Sequence, residues 1–164
     1  MHDTATAQSA IRPAAAADID QCIAIWVDAC AARDGTAFPG VAERARPKFD
    51  GNAAWFVAGP TDDVEGFVLA TAPGSGEPSD PEDAAIVGLL AVAPRQQTRG
   101  LGRALLGAAT DELSRRGYRR AALHALLDNT PAVRLYESEG WVAVGEEYEH
   151  SLLKRPMRTF ARLL

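Results

Sequence analysis

Val92-Ala93-Pro94-Arg95-Gln96-Gln97-Thr98-Arg99-Gly100-Leu101-Gly102-Arg103 joins an apolar run over 84–93 to an amphipathic segment over 100–116. The run is too short for a typical helix and is closed by Pro94, so it reads as a buried central strand. The segment after it places Leu101, Leu105, Ala108 and Leu113 inward and stops at Gly117, which predicts a helix. A strand that enters a helix through a glycine-containing turn aims several unpaired backbone N–H groups at one point. The helix dipole adds to them, so the turn is a seat for a phosphate or pyrophosphate. Gly100 and Gly102 let the backbone approach an anion with no Cβ in the way, and Arg99 and Arg103 can add charge.

Two better-known phosphate motifs do not fit. A dinucleotide fingerprint needs a third glycine where Leu105 stands. No Gly-Lys-Ser or Gly-Lys-Thr occurs anywhere, which removes a P-loop. Taken alone, the turn suits a plain strand-to-helix connection as well as it suits a ligand site.

Working outward, residues 1–10 read as a disordered tail and 11–164 as one domain. Ile11-Arg12-Pro13 predicts a short strand, followed by a helix over 18–32 with Asp18 placed to cap its start. A loop over 33–52 holds a short helix near 41–49. Segments 53–58 and 65–71 form a hairpin across the turn Gly59-Pro60-Thr61-Asp62-Asp63. A polar loop over 73–83 leads to the central strand. After the 100–116 helix come a strand over 118–126, a helix over 131–139 opened by Pro131, and strands over 141–145 and about 151–159.

Composition bounds the rest. The chain has 164 residues, 47% hydrophobic and 24% charged, the profile of a domain that closes its own core. A net charge of −5 gives no support to nucleic-acid or membrane-surface binding and mildly favours a cationic partner. Cys22 and Cys30 lie on the helical face of Ile19, Ile23, Trp26 and Val27, so they read as core rather than as a metal site or disulfide. The first ten residues lack the apolar core of a signal peptide, and no apolar run approaches the ~20 residues of a membrane span, so the expected location is the cytoplasm.

A second segment follows in Asn129-Thr130-Pro131-Ala132-Val133-Arg134-Leu135-Tyr136-Glu137-Ser138-Glu139-Gly140-Trp141. Each residue has a structural job there: Asn129 or Thr130 as cap, Ala132, Leu135 and Tyr136 packed inward, Gly140 as the stop. In order and spacing, the two segments together resemble the GNAT acetyltransferases. Gln97, Gly100 and Gly102 match that family's Gln/Arg-x-x-Gly-x-Gly/Ala turn, preceded by its Leu-x-Val-x-Pro strand ending at Leu90, Val92 and Pro94. The later segment matches its Asn-x-x-Ala-x-x-Leu-Tyr, and the likeness covers about residues 11–160.

The resemblance implies an α/β (α+β) fold: a mixed, mostly antiparallel six- to seven-stranded sheet with helices on both faces and a splayed parallel strand pair at its centre. It implies acetyl-CoA held by Leu90, Val92, Gln97, Thr98, Arg99, Gly100, Leu101, Gly102, Arg103, Asn129 and Ala132, with a bulge around 90–92 and no metal. The implied reaction is transfer of an acetyl or short acyl group to a primary amine by direct attack in a ternary complex, with Tyr136 as general acid. Here the chain departs from the commoner pattern, because Ala84 and Ala85 stand where many relatives carry a glutamate base. Glu82, Asp83 and His124 remain as base candidates, against solvated loop charge for the carboxylates and a structural histidine for His124. The alternative function is a non-catalytic acyl-CoA-binding module of the same fold. Relatives are often homodimers through the late strands, and 151–157 offers such an edge.

Overall fold

The computed structural model describes residues 10–94 and 100–164. Seven strands form one sheet: β1 (Ile11–Pro13), β2 (Ala54–Ala58), β3 (Gly66–Thr71), β4 (Ala84–Val92), β5 (Arg120–Leu126), β6 (Val142–Glu149) and β7 (Pro156–Leu163). Their spatial order is β1-β2-β3-β4-β5-β7-β6. Every pairing is antiparallel except that of β4 with β5. The helices are α1 (Ile19–Asp34), α2 (Val41–Ala45), α3 (Leu101–Arg115) and α4 (Thr130–Ser138). This is the mixed, mostly antiparallel sheet with a central parallel pair that the resemblance implies.

Strand alternation sorts the core onto the two faces. Phe67 and Leu69 of β3 pack with Cys22, Ile23 and Ile25 of α1, while Val68 and Ala70 pack with Leu101, Leu105, Leu106 and Ala109 of α3. Along α3 the inward residue is Ala109 rather than Ala108, and Leu106 and Thr110 join it. Both cysteines are buried and free, as their helical spacing predicts.

β4 contains one irregularity. Leu69 pairs with Leu89 but Ala70 pairs with Val87, so Gly88 is an extra residue on β4. The bulge therefore lies at Gly88, and register with β3 is regular from Leu89 to Val92, where the resemblance placed it. Packing explains the position. Leu89 must face α1 and Val87 must face α3, and only an inserted residue lets both happen across so short a span.

Three other expectations need correction. Asp18 does not cap α1. Its fully buried carboxylate turns back, accepting from the backbone N–H of Ala15 at 2.8 Å and from Arg12 Nη1 and Nη2 at 3.0 and 2.9 Å. Second, the strand expected from 118 begins at Arg120. Third, the strand expected over 151–159 begins at Pro156, the first residue of β7, where a missing N–H is tolerated. The residues before it form a turn because His150 Nδ1 accepts the N–H groups of Leu152 and Leu153 at 3.1 and 2.9 Å. The sheet edge is therefore β6, and 151–155 is not a strand edge. The expected tail lies in residues 1–9 outside the described residues, apart from Ala10.

Arg12 also donates from Nε to the Gly59 carbonyl at 3.0 Å, so one guanidinium ties β1, the β2–β3 turn and the start of α1 together. The Asp18 carboxyl is held below its ordinary range by the Arg12 hydrogen bonds, which outweigh its burial. A carboxyl with a depressed folded pKa contributes stability above its unfolded pKa and loses it as pH falls through the folded value. Asp18→Asn should therefore cost about 2 kcal/mol at neutral pH. The gap to the parent should close as the medium is acidified below the carboxylate range, a trend that urea unfolding at several pH values would read.

Candidate active site

β4 and β5 pair only at Ala84–Arg120, Ala85–Ala121 and Ile86–Ala122. Beyond these three pairs the strands part, although β5 stays paired with β7 as far as Leu126 and β4 with β3 as far as Val92. The parting begins where Gly88 bends β4. The facing edges of β4 after Ile86 and of β5 after Ala122 run past one another without pairing. A slot between two such edges fits an extended chain carrying amide groups, because each amide can bond to strand backbone.

The slot leads toward the start of α3. Gly100 sits there with φ of 75°, in the left-handed region that favours glycine, and among the described residues no side chain caps the first turn. Among the described residues, a Cβ on Gly102 would meet only Leu135 Cδ2 at 3.7 Å and Val92 Cγ2 at 4.0 Å, both ordinary contacts. Packing therefore does not demand glycine at 102, although a helical glycine costs ~1 kcal/mol against alanine. Glycine at 102 leaves the backbone of the first turn open to close approach by an anionic group. Gln97, Thr98 and Arg99 lie outside the described residues. Leu101 is buried in the core, so only its backbone is free to serve an anion. Arg103 turns to α4 instead, donating to Ser138 Oγ at 3.0 Å and pairing with Glu139.

On the opposite side the slot opens into a cleft of about 940 Å³ between α1, α2, the 72–83 loop and the β6–β7 turn. Leu90, His124, Asn129, Ala132 and Tyr136 all line it. Glu82 and Asp83 do not. Both are exposed at the closed end of the parallel pair, where Asp83 lies 3.4 Å from Arg120. Val92 is buried beside Leu101 and Leu105 in the α3-side core.

Tyr136 is half-buried on α4, its ring 6.4 Å from those of Trp141 and Phe160. Burial pushes its phenol up to about 12, so it keeps its proton at neutral pH and can only give one away. His124 projects from β5, and its Nε2 lies 2.8 Å from Asp80 Oδ1. A carboxylate accepts, so Nε2 is the ring nitrogen that donates here, and in the neutral tautomer that makes this bond Nδ1 has the lone pair. Asp80 Oδ2 accepts in turn from the Glu77 N–H at 2.7 Å. Gly76 closes this knot: a Cβ there would fall 2.3 Å from Asp80 Oδ2 and 3.1 Å from His124 Cε1.

Farther out, Asp34 at the end of α1 accepts from Arg33 at 2.8 and 2.7 Å and from Arg155 at 2.6 Å. Arg155 reaches the other way to Asp128 at 3.0 and 2.7 Å. Burial and then the guanidiniums of Arg44, Arg33 and Arg155 hold the His150 ring below the ordinary histidine range, which keeps it neutral and free to accept from its turn. Burial likewise raises the Cys30 thiol, so the cysteine lining this cleft stays protonated at neutral pH. Asp80, Gly76, Arg44, Lys48 and Arg155 carry no sequence signal of their own. They join the site only through the loops that bring them there.

Among the described residues no group of acids, histidines and cysteines could hold a metal, and no helix is long and apolar enough to cross a membrane. A segment is 41% identical over 65 residues to a mycothiol acetyltransferase of Clavibacter sepedonicus, covering 38% of this chain and 21% of that protein. The chain therefore matches about a fifth of the length of that relative. Its fold superposes on a GCN5-related N-acetyltransferase from Kribbella flavida with a TM-score of 0.70 at 25% identity, covering 94% of this chain and 97% of the other. A ribosomal-protein-alanine N-acetyltransferase from Brucella melitensis gives 0.72 at 21% identity, covering 94% and 99%. The model of the acetyltransferase (GNAT) family matches residues 20–141. With three quarters of its length matched to that model, on a sheet parted at the centre as the family's fold requires, the chain belongs to the GNAT acetyltransferases.

Proposed function

We propose that this protein transfers an acetyl group from acetyl-CoA to a primary amine by direct attack within a ternary complex, with His124 taking the amine proton and Tyr136 supplying the thiol proton. The observation that carries this reading is that both side chains line one cleft at the mouth of the β4–β5 slot. Acetyl-CoA supplies an activated acyl group as a thioester. The backbone of β4 and β5, the first turn of α3, and Asn129 and Ala132 would hold it.

An amine with a pKa near ~10 arrives mostly protonated at neutral pH, so attack needs a group to take a proton. His124 Nδ1 suits that role because Asp80 fixes the proton on Nε2. Tyr136 Oη keeps its proton until sulfur leaves. A thiol has an ordinary pKa near ~8.5, so the phenol helps by hydrogen bonding as negative charge develops rather than by acid strength alone. Much of the acceleration then comes from holding amine and thioester in line.

Tyr136→Phe should lower kcat by about 100-fold, the low end for loss of a general acid, while the dissociation constant for acetyl-CoA changes less than twofold. Stopped-flow or thiol-release kinetics beside calorimetric binding would separate the two. Equal turnover in parent and variant would remove Tyr136 from the acid role.

Asp80→Asn should reduce kcat/KM by about tenfold, because an amide can donate as well as accept and no longer selects one imidazole tautomer. His124→Ala should abolish that sensitivity, so that adding Asp80→Asn to it changes nothing further. Additive losses in the double variant would place Asp80 outside the proton path.

A further inference from the structure

The cations around the acceptor cleft fall into two groups. Arg33 is tied to Asp34, and Arg155 beside it is tied to Asp34 and Asp128. Arg44 on α2 and Lys48 in the 3-10 turn that follows line the cleft, and among the described residues neither has a carboxylate partner. They lie four residues apart on consecutive turns, and Arg44 is close enough to Lys48 to disfavour its charge.

The position of Lys48 is specific. Its Nζ and Cδ lie 3.9 Å from the point a Cβ on Gly88 would occupy, so the ammonium rests over the bulge of the central strand. The bulge marks where β4 leaves β5 and the slot opens. Burial, and then Arg44, push the Lys48 ammonium below the ordinary lysine range. Two like charges facing one cavity raise each other's energy, and an anion placed between them relieves both. Asp50 also lines the cleft but makes no ion pair with Lys48.

We propose that Lys48 and Arg44 seat a carboxylate of the acceptor, making the substrate an amine that bears a carboxylate within a few bonds, as an amino acid does. The inference rests on the acyl-transfer reading for its amine and on the cleft alone for its anion. A singly charged group suits the surroundings, because Asp50, Glu77 and Glu149 also line the cleft and would oppose a dianion. This reverses what bulk composition suggests: a chain with net charge −5 places two cations without a carboxylate partner among the described residues at the acceptor end.

The test titrates common amino acids, each beside its carboxamide, into the CoA-loaded full-length protein by calorimetry, with O-phosphoethanolamine and β-alanine as a further pair. At least one amino acid should bind about tenfold more tightly than its carboxamide, the factor expected from about 1.4 kcal/mol of charge pairing. That preference should fall at least fivefold in Lys48→Met and in Arg44→Gln, and recover in part in Lys48→Arg. Both side chains are exposed to the cleft and outside the core, so the variants should fold. Carboxamides that bind as tightly as the acids, no binding by either, or a preference that survives both substitutions would overturn the proposal. Tighter binding of O-phosphoethanolamine than of β-alanine would overturn the choice of carboxylate. Thiol release is read separately with the same compounds. Carboxylate-dependent binding without thiol release would sink the acyl-transfer reading and leave the anion seat standing, whereas thiol release with no carboxylate preference would do the reverse.

Discussion

The architecture turns on one extra residue in the central strand. β4 has to serve two cores, with Val87 facing α3 and Leu89 facing α1, and Gly88 is the insertion that makes both orientations available. Its effect on the ladder is as large as its effect on packing. Pairing with β5 stops at Ile86–Ala122, and the sheet gives up backbone hydrogen bonds at its centre. Ladder bonds lost in a sheet's middle are costly unless something replaces them. The neighbours compensate in part, since β5 holds β7 through seven consecutive pairs and β3 holds β4 on both sides of the bulge. The opening is thereby built into the fold and does not depend on a moving lid.

Around this opening, burial works to keep side chains neutral. The Tyr136 phenol is pushed up to about 12, the Cys30 thiol is raised and His150 is held below the ordinary histidine range. Two carboxylates at the rim are engaged, Asp34 by two guanidiniums and Asp80 by His124 and the Glu77 amide. Arg44 and Lys48, without carboxylate partners among the described residues, line the same cleft as Asp50, Glu77 and Glu149, so cations and carboxylates share its wall.

The sheet and most helices were legible because they rest on periodicity and punctuation. The turn Gly59-Pro60-Thr61-Asp62-Asp63 marked the β2–β3 hairpin, Pro94 closed β4, and Gly117 and Gly140 stopped the helices close to where the structure ends them. What failed was local and had local causes. Asp18 has the right residue type for a cap, but the guanidinium of Arg12 six residues earlier outcompetes the helix for its carboxylate. The segment before Pro156 alternates like a strand, yet the ring of His150 gathers two successive N–H groups and bends it into a turn. In the site, Tyr136, Asn129 and Ala132 carried a spacing that could be recognised, and all three line the cleft. Asp80 and Lys48 did not, because each lies in an irregular segment and meets its neighbours over separations of about forty residues. Distance in the chain is what hides them. The 97–99 portion of the glycine turn, the most recognisable stretch of all, falls outside the described residues.

Arg155 has one more consequence. Its guanidinium holds Asp34 at the last turn of α1 and Asp128 just after β5, while its own backbone accepts from the His150 N–H at 2.8 Å. Three surface segments that are far apart in sequence therefore share a single latch. Segments joined in this way open cooperatively, as one unit of local unfolding rather than as independent frays. On that ground the end of α1, the β5–α4 link and the β6–β7 turn are expected to exchange their amides at linked rates.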